Sequence, residues 1–473
     1  MKKRIALVIV AIMVFAAMFA ACTATPDQPA DTGSSGGSTP STPSTPTESE
    51  DDAVDSYSQI MEMLQSPETS LALSGVQPKS YESRDGVNKA LPVDAKPAGD
   101  IKIGWAAASL GAEFFIGLRD SGFARAAELG MPQPDLQNAD FNIETQQQQV
   151  DTFITNRVDV LLLNAVDLHS SVQMMQKVVD AGIPIIVTGP TAARPDYGII
   201  SALISGSNES GYQVGLYCAE QLYSPGQVLN VGMIVANLDG ADANSRPTGW
   251  IAGWLTKVAE INGAPYASKY DALLDAYGIW MQYRNNRNYD LSDKGLLLSQ
   301  LGVSENLGTD AAKGQTAAAD LLIAEPNMDL LMVEMDSLAI GAIAEIKTQG
   351  KTPGQDIMVV TCADGTTTVL DYIRAGEVMA TATNIPFITS VSIMDMIYNL
   401  FDGTGTSKSQ AEWAAYYDNM PATSFTPTMA ITASNVDQYY PKDPDDPIFG
   451  KFAAFDPWTP IDIPGYNELH KND

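Results

Sequence analysis

The chemistry open to this chain is narrowed first by what it lacks. Its 473 residues contain two histidines, His169 and His470, and three cysteines, Cys22, Cys218 and Cys362. Two histidines so far apart in the chain nearly exclude a His-dependent triad and a multi-His metal site, and the chain has no HExxH, CxxC, P-loop or post-strand GxGxxG. Neither a cofactor nor a metal is expected. Carboxylates are plentiful, but nothing sets two of them as the acid and base of a glycosidase, so an enzyme is not expected. Polar residues do stand at the ends of apolar runs. Asn164 follows the run Val158–Leu163, and Asp364 follows Ile357–Cys362. A polar group so close to a core needs a partner, because burying it unpaired is costly. Asp364 is also placed to cap the helix that follows, and His169 reads as a surface or capping residue.

The elements that would position such groups alternate along the chain. Ile101–Ala107 reads as a strand and Phe114–Leu129 as a helix. Thr145–Asn156 is helical, Val158–Leu163 a strand, Ser170–Asp180 a helix and Ile183–Val187 a strand. After Ser207 the rhythm returns, with helices over Glu209–Leu222, Ser245–Ile261, Gln315–Ile323, Ser337–Thr348, Thr366–Arg374 and Ile388–Phe401. The strands between them are Val228–Val235, Leu330–Val333, Ile357–Cys362 and Val378–Thr383. Near-continuous apolar strands alternating with helices imply parallel sheets covered on both faces. About 370 residues run from Asp100 onward, too many for one compact core of ordinary size, so two α/β units are expected. Residues 263–309, rich in Tyr, Asn and Arg, interrupt the second unit and read as an insertion. Its Tyr266, Tyr270, Tyr277, Trp280, Tyr283 and Arg284 are candidates for a binding-site rim or for a surface elaboration.

The N-terminus carries an address. Met1–Arg4 is basic, and Ile5–Ala21 is an uncharged apolar run ending in small residues, which reads as a secretory signal. Phe19-Ala20-Ala21-Cys22 resembles a bacterial lipobox, which implies lipidation of Cys22 and attachment to the extracytoplasmic face of the cell membrane. Residues 23–99 read as a disordered tether and lead-in, with Ser41-Thr42-Pro43-Ser44-Thr45-Pro46 nearly repetitive and residues around Ile60–Leu64 able to make one short helix. The formal charge of −30, from 57 acidic and 27 basic residues, excludes nucleic acid as a partner. Cys218 and Cys362 sit inside apolar elements and read as buried free thiols.

Nine short signatures, in order, resemble the type I periplasmic sugar-binding proteins of the ribose-binding group. Ile103-Gly104-Trp105 and Glu113-Phe114-Phe115 resemble its first strand and "PFF" helix start. Gln146–Phe153 resembles its second helix, Val158–Asn164 its "VDAILIN" strand, and Ala181-Gly182-Ile183-Pro184 its "AGIP". Arg246-Pro247-Thr248-Gly249-Trp250, Asp336–Ala342, Asp364-Gly365-Thr366 and Thr383-Asn384-Ile385-Pro386 resemble four more. The resemblance spans residues 101–435.

It implies two doubly wound parallel-sheet lobes joined by a three-crossover hinge, with crossings near Ser207, Asn384 and Thr428. The first lobe would take residues 100–206 and 385–428, the second 207–384 and 429–473. It implies capture of a small polar ligand, a sugar, between the lobes, and delivery to an ABC permease by a monomeric binding protein. A sensing role, or a non-sugar solute such as a nucleoside, fits the same fold. By the same resemblance Phe114 and Phe115 would stack on the CH faces of a sugar. Asn164, Arg246, Asp336, Asp364 and Asn384 would meet its hydroxyls, Arg246 through its planar fork. Three polar positions of the ribose group are altered: Ala112 and Glu113 precede the phenylalanines, Gly189-Pro190 replaces an Asp-Arg pair, and Met335 replaces an Asn. Ribose itself is therefore not the expected ligand.

Overall fold

A computed structural model describes residues 55–63, 72–73, 93–166, 168–188, 199–304, 310–384, 386–401, 423–426 and 428–439. The signal and lipidation readings at residues 1–22, most of the tether, the side chain of His169, Gly189-Pro190, and the chain after residue 439 with His470 lie outside what is described. Among the described residues no helix is long and apolar enough to cross a membrane.

In chain order the elements are α1 (Ser56–Met63), β1 (Ile103–Ala107), α2 (Glu113–Glu128), β2 (Asp135–Asn138), α3 (Ile143–Asn156), β3 (Val160–Asn164), α4 (Leu168–Asp180), β4 (Ile185–Thr188) and β5 (Ile199–Ser205). Then come α5 (Ser207–Leu222), β6 (Leu229–Val235), α6 (Ala241–Ile261), α7 (Lys269–Asn286), β7 (Tyr289–Leu291), β8 (Leu296–Val303), α8 (Ala311–Ala324), β9 (Leu330–Val333) and α9 (Asp336–Thr348). The series ends with β10 (Met358–Thr361), α10 (Thr367–Arg374), β11 (Ala380–Ala382), α11 (Pro386–Leu400), β12 (Thr423–Thr426), β13 (Ala430–Thr432) and α12 (Val436–Tyr439).

These strands form two sheets, in the orders β12-β5-β4-β3-β1-β2 and β13-β11-β10-β9-β6-β8-β7. In each, the first strand of the unit lies inside, with β2 or, in the second sheet, β8 and β7 on one side of it and the later strands on the other. That reversal of direction is the switch point beyond which α/β sheets bind ligands, at the carboxyl ends of their strands. The expectation of near-continuous apolar strands covered on both faces holds: every residue of β1, β3 and β9 is buried. Each sheet accordingly has a separate apolar core on either face. The chain passes between the sheets three times, after β5, after β11 and between β12 and β13.

Local signals explain the breaks between elements. Asn142, Ser268 and Asp310 accept backbone N–H bonds at the starts of α3, α7 and α8, as good N-caps do. Gly130 and Gly182, at φ +73° and +74°, turn the chain out of α2 and α4 in a conformation that costs glycine little.

The segment 263–309 departs from its reading. Strand β8 lies beside β6 and parallel to it, so it is a regular member of the second sheet. What is added is helix α7 and the antiparallel edge strand β7. Trp280 and Tyr283 are fully buried in the core of this sheet. Trp280 Nε1 and Arg284 both donate to Asn244 Oδ1, at 3.0 and 2.8 Å, and so pin α7 to α6. Helix α7 in turn receives α1: Ile60 is fully buried in the same core, and the rings of Tyr57 and Tyr270 meet edge to face at 4.9 Å.

Helices α5 and α6 touch backbone to backbone. A Cβ on Gly211 would lie 2.0 Å from the Arg246 carbonyl oxygen, and one on Gly249 would lie 1.9 Å from that of Asn208. Glycine at Gly215 and Gly253 completes the contact one turn on. This approach sets where the first turns of α6 stand, just inside the second lobe. Gly249→Ala is therefore expected to lower stability by at least the ~1–3 kcal/mol of an overpacked core. Gly278→Ala, at a helical site with open space around it, is expected to raise stability by about 0.5–1 kcal/mol. Thermal denaturation of the two variants checks the contrast.

Candidate functional site

Of the polar residues expected at the strand ends, Asp364 and Asn384 come together, and a buried guanidinium stands beside Asp364. Arg246, in the second turn of α6, is 2% exposed. Its terminal nitrogens lie 3.8 Å from carboxylate oxygens of Asp242, Glu334 and Asp364, which come from α6 itself and from the ends of β9 and β10. Burial works against the charged guanidinium, but these three carboxylates more than offset it and hold it charged. Among the described residues its Nε has no hydrogen-bond partner.

Burial also acts on the acids. It pushes Glu334 up to about 7, although Arg246 and the Ala236 N–H, which donates to Glu334 Oε2 at 2.7 Å, pull the other way. It pushes Asp364 up to about 7 as well, again against the pull of Arg246. Asp364 Oδ1 accepts from Asn384 Nδ2 at 2.8 Å, and the Asn384 N–H donates to the Asp364 carbonyl at 3.0 Å. Two of the expected ligand groups are thus joined beside a hinge crossing.

Asp336 has another role. It is fully buried, and its Oδ2 accepts from the Gly365 N–H, the Thr366 N–H and the Thr366 hydroxyl, at 2.9, 2.8 and 2.9 Å. Its Oδ1 accepts from the Thr381 hydroxyl at 2.8 Å. With its lone pairs so engaged, this carboxylate fixes the turn that carries Asp364. Asn164 is likewise engaged within its own lobe: Oδ1 accepts from Trp105 Nε1 at 2.9 Å, and Nδ2 donates to the Thr188 carbonyl at 3.3 Å.

A cavity of about 150 Å³ lies between the lobes. The first lobe contributes Gly111, Ala112, Glu113 and Phe114, from the start of α2. From the second come Ser337, Asp364 and Thr366, with Asp310, Ala311 and Ile340 beside them. Phe114 therefore stands where a stacking ring was expected. Phe115 does not line the cavity; its ring packs edge to face on Phe114 and Phe141. None of the tyrosines or the tryptophan of segment 263–309 lines it either.

Three contributors escaped the sequence reading. Glu334 ends an apolar strand, and a carboxylate there was a signal that could have been used. Ser337 carries a buried Oγ with no partner among the described residues, which no sequence feature announces. Glu113, noted as a departure, joins the lobes: its carboxylate accepts from the Thr368 hydroxyl at 3.1 Å and from the N–H groups of Thr367 and Thr368 at the start of α10. Burial raises its pKa, and those bonds oppose the rise.

Cys218 and Cys362 are buried and unbonded to each other, as expected. Among the described residues no cluster of His, Cys, Asp and Glu could hold a metal ion.

Comparison with known proteins gives the family. Residues 103–405 match the family model of the periplasmic binding protein domain. The ribose import binding protein of Bacillus subtilis is 23% identical over 301 residues, which cover 62% of this chain and 81% of that one. Its counterpart from Salmonella typhimurium is 24% identical over 275 residues, 58% of this chain and 75% of that one. Among solved structures, an ABC transporter solute-binding protein from Bacillus halodurans with bound myo-inositol superposes with a TM-score of 0.52 at 20% identity, covering 72% of this chain and 98% of that one. One from Actinobacillus succinogenes with bound D-allose gives 0.52 at 17% identity, covering 72% and 100%.

The acids of the site imply a pH dependence. Glu334 and Asp364 keep protons in the folded chain that the unfolded chain releases at the ordinary carboxylate pKa. The folded state binds more protons through this window, so stability falls as pH rises. Melting temperature of the ligand-free chain is expected to decline from the ordinary glutamate value of 4.5 towards about 7. Glu334→Gln is expected to remove part of that decline.

Proposed function

Because the chain belongs to the periplasmic binding protein family, we propose that it captures one small polar solute, a sugar, and delivers it to an ABC importer. The observation that carries the reading is the interlobe cavity, where an aromatic ring from one lobe faces a carboxylate backed by a buried guanidinium from the other. Sugars offer both matching surfaces: CH faces for Phe114, and hydroxyls that donate to Asp364 and accept from Arg246 and Asn384. Relatives named as ribose import proteins and fold neighbours holding myo-inositol and D-allose are in keeping with a polyhydroxylated ligand.

Capture proceeds by bending at three crossings. The moving bodies are residues 100–206 with 385–428, and residues 207–384 with 429–473. A solute that touches both bodies binds the closed form better than the open one, and that difference in affinity is what shifts the population toward closure. The closed form then docks on the permease as a monomer. Residues 1–22 act as a lipoprotein signal, Cys22 carries the lipid, and the Thr/Pro-rich stretch spaces the lobes from the extracytoplasmic face of the membrane.

A melting-temperature screen of the chain against pentoses, hexoses, disaccharides, polyols and nucleosides tests the capture. A ligand at about 100 times its Kd adds about 2.7 kcal/mol, and one sugar class is expected to give a clear shift. Shifts with nucleosides alone would replace the sugar in this reading. Asp364→Ala is expected to weaken the selected sugar by about 10- to 100-fold in calorimetry, since it leaves a buried hydroxyl unpaired. Cys22→Ser is expected to move the protein from the membrane fraction to the soluble fraction.

A further inference from the structure

Two helices bring their N-termini to the interlobe cavity from opposite lobes, α2 through Gly111–Phe114 and α10 through Thr366. The first N–H groups of a helix have no partner within it and carry partial positive charge. Neither helix is capped by the side chain of its own N-cap residue. For α2 that residue is Ala112, which has no polar side-chain atom. For α10 it is Thr366, a residue type that caps well, but its hydroxyl donates to Asp336 Oδ2 at 2.9 Å. The second lobe has thus turned away the group that would close its own helix end.

The first lobe supplies a cap instead. Glu113 stands in the first turn of α2. Its Oε2 accepts from the Thr368 hydroxyl at 3.1 Å, and its carboxylate accepts from the N–H groups of Thr367 and Thr368. One negative charge therefore lies between two positive helix ends that would otherwise face each other across the cleft. Donors and acceptor belong to different lobes, so these bonds exist only while the lobes are together. Glu113 is exposed at the edge of the cavity, and there its bonds compete with water and can open.

From this arrangement we infer that Glu113 is a closure latch: it caps α10 from the opposite lobe and holds the chain closed before any solute arrives. The inference rests on the reading of two lobes that close on a solute, and it adds a closed population to the ligand-free state. A solute then needs less differential affinity to complete closure, because the competent form is already more populated. A helix cap shifts an equilibrium by about 2- to 30-fold, and that is the bias toward closure assigned to Glu113.

Thiol labelling of the ligand-free full chain, purified in mild detergent, tests the latch. Ser337 lines the cavity from the second lobe, and its Oγ is buried. Ser337→Cys therefore places a thiol that iodoacetamide reaches when the lobes part. With fast reclosing, the labelling rate follows the open fraction. Adding Glu113→Ala is expected to raise that rate about 2- to 30-fold. Glu113→Gln keeps the bulk at the cavity and removes the charge, and is expected to raise it about two- to fivefold. Thr368→Val removes one donor and is expected to add little to Glu113→Ala, since the two side chains share one bond. Cys218 and Cys362, both fully buried, report on unfolding through their own peptides and are expected to label no faster. Unchanged labelling in both Glu113 variants overturns the latch. So does a rise confined to Glu113→Ala, which marks a widened entrance, or full additivity with Thr368→Val. A rise at all three cysteines together marks a loosened fold and overturns it as well. No sugar enters the experiment, so failure of the latch leaves solute capture standing.

Discussion

The second lobe is organised around one buried positive charge. Arg246 is withdrawn from water with three carboxylates around it, at 3.8 Å each. Such a group is tolerable only while its partners stay, because a lone buried ion costs several kcal/mol. The constraint therefore reaches into every element that supplies a partner. Strand β9 must end at Glu334, β10 must lead to Asp364, and α6 must start where Asp242 and Arg246 both reach the others. The glycine contact between α5 and α6 is what allows that last placement, since the Arg246 carbonyl itself occupies the space a side chain at Gly211 would need. Packing and ligand chemistry are in this sense one arrangement.

Around that centre, polar groups divide between support and capture. Asp336 has every expectation of a ligand group by its position after a strand, yet four protein donors use its carboxylate. Its work is to hold the turn from which Asp364 projects. Glu113 similarly serves the protein, by bonding the start of α10 across the cleft. The lead-in adds a further link between the bodies. Ile60 and Leu73 are buried in the core of the second lobe, while Val93 packs on that of the first and the Lys96 N–H bonds the Phe401 carbonyl at 2.8 Å. The chain preceding β1 thus grips both lobes before the first sheet begins.

Much of this was legible in the amino-acid order, for physical reasons. Strands buried on both faces are apolar throughout, so β1, β3, β4, β6, β9 and β10 announced themselves. Strand β2 did not: Asp135–Asn138 is a polar edge with no fully buried residue, and nothing in its periodicity separates it from a loop. Strand β8 was hidden inside a Tyr- and Asn-rich segment whose composition read as an insertion. At the site, Asp364 and Phe114 line one cavity, and Arg246 and Asn384 stand against Asp364 without lining it. The roles of Asp336 and Asn164 were not legible, because they depend on partners 24–59 residues away in the chain and on which of two faces a side chain turns to.

Arg246 is the keystone of the second lobe, whatever part it takes in binding. Urea denaturation of ligand-free Arg246→Met tests it most directly. Removing one member of a buried ionic cluster costs about 3–5 kcal/mol by leaving the others unpaired, and a loss of that size is predicted without any ligand present. A variant that denatures like the parent chain, whatever its binding, would show that the guanidinium is a contact for the solute alone and that the lobe does not depend on it.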